Sequence, residues 1–324
     1  MKVIGTGAAL PAQRVSSADI DSRLGKPQGW TFDQSGVRFR HVVQGESQID
    51  LALTAARAAL AAAKITPAAL DLVIVASGIP YQTLPSTAPL VQRGLGLADG
   101  AVATFDINST CLSFLTALEA VEGLMRAGRY RTALIVSAEV ASRALPWADH
   151  PEVAALFGDG AAAVVVSHLG PDLMATRFRT YPSAYEACEI GAGGTRFDFA
   201  HDRAAFEAHS RFAMDGRSLF RLTAAHFGGF VRNLLADAGV QPSEVDVVVP
   251  HQASPMALQH MVRLCGFDPA QVVDIVADVG NQIAASLPFA LDHAVRTGRV
   301  RAGQVVVMLG TSAGVSFGGV VMEV

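Results

Sequence analysis

Three residue types that can share one chemistry stand far apart in the chain: Cys111, His251 and Asn281. A thiol can attack an acyl carbon, an imidazole can move or donate a proton, and a carboxamide can hold a developing oxyanion. Each also has an ordinary explanation. Cys111 follows the apolar run Val102-Ala103-Thr104-Phe105 and precedes Leu112, Leu115, Leu118, Val121 and Met125 at helical spacing. That spacing predicts a helix beginning near Ser109 or Thr110. Cys111 would then lie in its first turn, where unpaired N–H groups favour a thiolate. The competing reading is a small apolar filler, because free cysteines are commonly buried. Taken alone, His251 reads as a satisfied histidine after a strand, and Asn281, after Gly280, as a left-handed turn residue.

The elements that must position these residues occur twice. Residues 65–74 are echoed by residues 240–249, each following an Ala- or Leu-rich helical segment and feeding an apolar strand. Phe105-Asp106-Ile107 before Cys111 returns as Val273-Asp274-Ile275 before Asn281, and residues 133–136 return as 305–309. A helix is expected over about 48–64 and strands over 3–7, 72–76 and 161–166. Short apolar strands alternating with helices, twice over, predict an α/β fold with helix-covered sheets. Loops at the C-terminal ends of equivalent strands should then converge. Those loops hold Cys111, Pro250-His251-Gln252 and Gly280-Asn281-Gln282. Residues 16–45 read as irregular, and residues 170–215, with Gly191-Ala192-Gly193-Gly194, as loops over a site rather than part of a sheet.

Composition narrows the classes. With 324 residues, 51% of them hydrophobic and 17% charged, the chain has the makeup of a globular enzyme core, not of a disordered one. A net charge of −4 gives no general attraction to nucleic acid. Three widely spaced cysteines point to a reducing compartment, with Cys188 and Cys265 as structural residues. Glycines break the N-terminal run too early for a secretory signal, and no window reaches the roughly 18 apolar residues of a membrane span, so a cytoplasmic location is expected. Gly5-Thr6-Gly7-Ala8-Ala9-Leu10 lacks the third glycine of a dinucleotide fingerprint, and no His-Glu-x-x-His or Cys-x-x-Cys spacing suggests a metal.

Together, Cys111, Pro250-His251-Gln252-Ala253-Ser254 and Val279-Gly280-Asn281 resemble the Cys–His–Asn motifs of the β-ketoacyl-acyl carrier protein synthase III family. Leu156-Phe157-Gly158-Asp159-Gly160-Ala161-Ala162 is similar to that family's Phe-Gly-Asp-Gly-Ala element. The segment from Trp30 to His41 is similar to its N-terminal motif, and the likeness runs in order from Gly5 to the C-terminus. The resemblance implies a thiolase-like fold, an internally duplicated five-layer αβαβα sandwich. Its halves would be residues 1–170, carrying the nucleophile, and 171–324, carrying the histidine and asparagine. The implied reaction is a decarboxylative Claisen condensation with coenzyme A and phosphopantetheine thioesters as substrates and no cofactor. An acyl-CoA would load Cys111, and malonyl-acyl carrier protein (ACP) or malonyl-CoA would supply the carbanion. His251 and Asn281 would hold the enolate, and the N–H groups of Cys111 and Gly314 the tetrahedral oxyanion. The resemblance also implies a homodimer in which the Leu84 loop caps the partner's acyl pocket, and a Trp30 that stacks on the coenzyme A adenine. Phe157, Phe212 and Met214 are candidate pocket residues. Arg38, Arg217, Arg221 and Arg263 are candidates for a patch that binds the coenzyme A phosphate or the carrier.

Several positions depart from the family pattern. Gly310-Thr311-Ser312-Ala313-Gly314 replaces a less polar glycine loop, Gln282-Ile283 follows Asn281 where Thr-Ser or Thr-Ala is common, and Met256 stands where a basic docking residue is usual. Residues 77–92 contain no Asp or Glu, which disfavours head-to-head condensation of two acyl chains. Two alternatives stay within the superfamily: a polar or dicarboxylic starter, as in the biotin-precursor type, with Arg143 as its partner, or acyl transfer to an oxygen or nitrogen nucleophile. A cysteine hydrolase and a non-catalytic scaffold are the remaining classes. The duplicated placement of a complete triad weighs against both.

Overall fold

The computed structural model describes residues 1–324. Its first sheet runs, in spatial order, through the strands Lys2–Ala9, Gly160–Ser167, Thr132–Glu139, Leu72–Val75 and Ala103–Asp106. The first two junctions are antiparallel and the last two parallel. The second sheet runs Ala175–Thr180, Ser316–Glu323, Val305–Ser312 and Val247–Pro250, again antiparallel, antiparallel and parallel. A parallel bridge from Val248 to Val272 stands where the fifth strand would be. One topology is therefore built twice.

Helices complete five layers. Gln48–Ala63 and Ala88–Gly94 cover the outer face of the first sheet. Ser113–Arg126 and Ser286–Arg296 lie between the sheets, where Leu115, Leu118 and Leu291 join Ile74 and Ile135 to Val249 and Met308. Gly216–Ala238 and Pro255–Cys265 cover the second sheet. Strands covered on both faces must be apolar throughout, and Leu72-Val73-Ile74-Val75 is buried at every position. Each such side chain contributes roughly 1.5–3 kcal/mol when removed from water.

Local sequence explains how the outer layer sits so close. Helix Gln48–Ala63 starts on a reciprocal Ser47–Asp50 capping box and ends at Lys64 in the left-handed conformation. Its alanine face lies on strand Lys2–Ala9, where a side chain at Gly5 or Gly7 would run into the backbone of Ala59. The Gly5/Gly7 pair thus serves helix–sheet approach. Placing an alanine at either position would push the layer outward.

Two segments differ from expectation. Residues 16–45 are ordered: Gln13–Ser16 pairs with Phe39–Val42, with helices Ser17–Leu24 and Trp30–Ser35 between them. Side chains bonded to backbone produce this order, including a Ser16–Asp19 capping box and an Asp21 carboxylate that accepts the N–H groups of Gly29 and Thr31. Hydrophobic periodicity does not register such bonds. Within 170–215, Ala175–Thr180 is an edge strand of the second sheet, and its half-exposed Thr-Arg-Phe-Arg-Thr pattern hid it. No helix is long and apolar enough to cross a membrane.

Candidate active site

The turn that carries Cys111 is fixed by its polar neighbours. Asp106 accepts the N–H groups of Thr87 and Ala88, both at 2.7 Å, anchoring the end of its strand. The Asn108 Oδ1 accepts the Thr110 N–H at 2.9 Å, and its Nδ2 donates to the Gly78 carbonyl at 3.0 Å. Ser113 Oγ accepts from the Ser109 N–H at 2.9 Å and donates to the Thr110 carbonyl at 2.6 Å. These bonds hold Thr110 at φ 52°, and the helix begins only at Ser113. Cys111 therefore sits on a tight elbow ahead of the helix, not in its first turn.

The thiol is half-buried and faces a cavity. Burial pushes its pKa up, the neighbouring Cys188 and Glu139 add to this, and the N–H groups of Cys111 and Ala313 oppose it. The expected resting thiolate gives way to a neutral thiol, because desolvation outweighs the dipole of a helix that starts past it.

His251 follows the strand Val247–Pro250 and is 6% exposed. Burial holds its imidazole down at about 4, so it is neutral at pH 7, and its Nδ1 has no partner. Gly310 lies so close that a side chain there would meet the His251 Cβ. The buried Gln252 donates to the carbonyls of Pro250 and Val273 at 2.9 and 3.0 Å and accepts the Ile275 N–H at 3.0 Å. It ties the histidine's loop to the segment leading to Asn281.

Asn281 is held on all sides. Its N–H donates to the Leu156 carbonyl at 2.8 Å, and its own carbonyl accepts from Gly158 at 3.1 Å. Its Oδ1 accepts the Ile283 N–H at 2.8 Å, while Nδ2 reaches the Ala253 carbonyl at 3.3 Å. Gly280, at φ 72°, leaves no room for a side chain against the Phe157–Gly158 backbone. The Phe-Gly-Asp-Gly element is thus a cradle for the Asn281 turn. Its Asp159 accepts from Val43 N–H and from both the N–H and the hydroxyl of Ser142.

Cys111, His251 and Asn281 line one cavity of about 1680 Å³, roomy for a long, jointed ligand. Ile79, Phe157, Phe212 and Ile283 form an apolar wall packed with Cys111, the two Phe rings meeting edge-on at 5.0 Å. Met214 and Gly314 also line the cavity, and the exposed Arg217 and Arg221 lie at its mouth. The other candidates lie outside it. Trp30 is half-buried with the Lys26 ammonium over its ring, and its helix reaches the cavity through Asp33, Gln34, Ser35 and Gly36 instead. Leu84 is 83% exposed, and Arg143 is exposed on the turn Ala141–Ala144. Arg38 forms a bidentate pair with Asp278, and Arg263 is exposed in the last turn of Pro255–Cys265.

Sequence reasoning missed three residues. Cys188, expected to be structural, lines the same cavity as Cys111, its thiol pushed up to about 11 by burial. It lies on a short strand in the segment outside the repeat, so no equivalent position flagged it. The N–H facing the Cys111 thiol belongs to Ala313, whereas Gly314, at φ 121°, supplies the turn beside it. Glu139, at a strand end equivalent to that loop, is fully buried. No group of three or more His, Cys, Asp or Glu side chains is arranged to hold a metal.

Comparison with known proteins bears on the family and the fold. Residues 105–182 match the family model for 3-oxoacyl-[acyl-carrier-protein] synthase III, and residues 235–324 match that for its C-terminal part. A Rhodospirillum rubrum β-ketoacyl-[acyl-carrier-protein] synthase III is 37% identical, covering 98% of this chain and 97% of the relative. One from Neisseria gonorrhoeae is 32% identical over 99% and 98%. The crystal structure of 3-oxoacyl-[acyl-carrier-protein] synthase III from Aquifex aeolicus superimposes with a TM-score of 0.89 at 32% identity, covering 100% and 99%. A crystal structure of a Xanthomonas campestris OleA variant, at 24% identity and a TM-score of 0.85, covers 98% and 97% and shares the fold alone. With identity above 30% sustained over nearly its whole length, the chain belongs to the β-ketoacyl-acyl carrier protein synthase III family of the thiolase-like superfamily.

Proposed function

We propose that this protein is a condensing acyltransferase that takes an acyl group from coenzyme A onto Cys111 and joins it to a malonyl thioester. The observation that carries this reading is the meeting of Cys111, a neutral His251 and Asn281 on one cavity, at equivalent strand ends of a duplicated fold. In the first half-reaction the Cys111 sulfur attacks the acyl carbonyl, neutral His251 is available to take the thiol proton, and coenzyme A leaves as its thiol. In the second, the malonyl thioester loses CO2, and the electron pair left behind becomes an enolate. His251 and Asn281 donate hydrogen bonds to that enolate oxygen, a role that a neutral imidazole fills through its one N–H. The carbanion attacks the Cys111 acyl carbon, and the N–H groups of Cys111 and Ala313 hold the oxyanion. The 3-ketoacyl product departs with expulsion of the Cys111 thiolate, and that thiolate takes a proton from solvent to restore the thiol. No base strong enough to remove a carbon-bound proton is required.

The apolar wall of Ile79, Phe157, Phe212 and Ile283 suits an apolar starter. Arg143, exposed outside the cavity, offers no counter-charge to a dicarboxylic one. Arg217 and Arg221, exposed where they line the cavity, supply positive charge suited to the phosphate of a pantetheine arm or to an acidic carrier. A second copy of the chain would pair along the half-exposed edge strand Ala103–Asp106 and cover the Leu84 loop. Intact-protein mass spectrometry with a panel of acyl-CoA thioesters tests the reading. A Cys111 adduct that malonyl-ACP discharges as a 3-ketoacyl product is expected; an adduct that malonyl thioesters leave untouched would replace condensation by simple acyl transfer.

A further inference from the structure

Glu139 ends the strand Thr132–Glu139, is fully buried, and has no part in the steps above. A buried carboxyl needs hydrogen-bond partners. Its partners are backbone groups: Oε1 accepts the Gly78 N–H at 2.5 Å, Oε2 accepts the Ile79 N–H at 3.2 Å, and the Ala284 N–H also faces it. These groups adjoin the two turns that carry the reacting residues. The Gly78 carbonyl accepts from Asn108, which in turn holds the Thr110 N–H beside Cys111. Ala284 follows Ile283, whose N–H holds the Asn281 carboxamide.

Backbone strain marks the same place. Three non-glycine residues in the chain have positive φ: Lys64, Thr110 at 52° and Ile283 at 50°. Lys64 is an ordinary helix C-cap. The other two are β-branched, the residue type least suited to this region, and each is within two residues of Cys111 or Asn281. Both crowd one glycine, since a side chain at Gly78 would meet the Ile283 Cγ2 at 2.8 Å and the Thr110 backbone at 3.4 Å. Strained turns persist only where their surroundings over-determine them.

We propose that Glu139 is a positioning residue. By gripping Gly78, Ile79 and Ala284 together, it fixes the Thr110–Cys111 elbow against the Asn281–Ile283 turn, and so sets the thiol and the carboxamide in register across the two halves. It touches no reacting atom. The loop it grips has other anchors: Gln48 Nε2 donates to the carbonyls of Ile79 and Ala138 at 2.8 and 2.6 Å, and Ser137 Oγ donates to that of Ala76 at 2.6 Å. Loss of Glu139 should therefore misalign the turns rather than unfold the sheet.

Glu139→Ala and Glu139→Gln test this by hydrogen–deuterium exchange and by kinetics; the kinetic arm rests on the proposed condensation, and the exchange arm does not. In Glu139→Ala, peptides covering 108–112 and 281–285 should both exchange at least about tenfold faster while the central strands stay protected. The kcat of condensation should fall roughly 10- to 100-fold, with KM for the malonyl thioester within about twofold. Glu139→Gln keeps one acceptor oxygen and should recover part of that loss. Faster exchange confined to 78–79, or wild-type kcat in Glu139→Ala, overturns the proposal. If the alanine variant does not fold, Glu139→Gln decides, with coupled loosening of both turns expected and unchanged turns counting against. Absence of condensation in the wild type would strike the functional reading alone, since exchange still reports on the clamp.

Discussion

The two halves share a topology, and in the proposed reaction they divide the chemistry. After the outermost parallel strand the first half places Cys111 and the second Asn281; after the next strand the first places Gly78 and the second His251. After the third, the first half offers Glu139 and the second the Ala313 N–H. In each half burial works against charge. It pushes the Cys111 thiol up and the Glu139 carboxyl to about 8 on one side, and holds His251 down at about 4 on the other. All three groups are mainly uncharged at pH 7. Duplication thus supplies matched positions, and the proposed reaction draws its nucleophile from one half and its proton acceptor and the two side-chain hydrogen-bond donors from the other.

The sharpest way to break this division is to delete one member from each side. Cys111→Ala should abolish acylation and lower turnover by roughly 10⁴-fold or more, read by mass spectrometry and product formation. Asn281→Ala should keep the acyl adduct yet lose roughly 10²- to 10³-fold in condensation, the scale of one oxyanion donor. If Asn281→Ala also blocks acylation, Asn281 is not confined to the condensation half-reaction, and the proposed division of roles fails.

Acid stability sharpens it next. The folded pKa of His251, about 4, lies below its unfolded value of 6.5, so the unfolded chain binds a proton first as pH falls. The stability carried by its neutral form is whole above 6.5 and is lost as pH falls through about 4. The loss is on the order of 3 kcal/mol. Glu139 runs the other way. Raised from 4.5 to about 8, it contributes fully below 4.5 and loses that contribution as pH rises through 8. Between pH 4 and 7 the two groups therefore pull in opposite directions. Urea midpoints measured at pH 4, 7 and 9 should fall less toward pH 4 in His251→Gln and more in Glu139→Gln, which should also lose part of the decline between pH 7 and 9. Changes of the same sign between pH 4 and 7 in both variants would mean that the two sites do not titrate separately.

Much of this arrangement was legible in the sequence, for reasons particular residues make plain. The echo of residues 65–74 in 240–249 registers because each copy must bury the same apolar strand, Leu72–Val75 or Val247–Pro250, on both faces. The convergence of the loops that carry Cys111, His251 and Asn281 on one cavity follows from that echo, because they stand at matched strand ends. What escaped notice depends on polar contacts or on which neighbour faces which. The segment around Trp30 is ordered by Asp21 and by Ser16 capping, and the edge strand Ala175–Thr180 is too polar to look like a strand. Ala313 meets the Cys111 thiol through its N–H, to which its side chain gives no clue, and Glu139 becomes noticeable only when its backbone partners converge. Among the arginines, composition cannot tell Arg38, committed to Asp278, from Arg217 at the cavity mouth.

That last distinction gives the smallest effect. Arg217 is exposed and lines the cavity, whereas Arg263 is exposed outside it. Exposed charges are worth about 0–1 kcal/mol each, so Arg217→Ala should raise KM for malonyl-ACP by only a few-fold and leave kcat unchanged. The increase should shrink as salt rises, because the attraction is screened over about 8–10 Å. It should also disappear with a malonyl thioester too short to carry a phosphate. Arg263→Ala should leave KM within about twofold under the same conditions. Equal effects from the two variants would mean that the carrier reads the general charge of the second half and not the mouth of the cavity. Docking would then owe nothing to the strand-end geometry that separates the two halves.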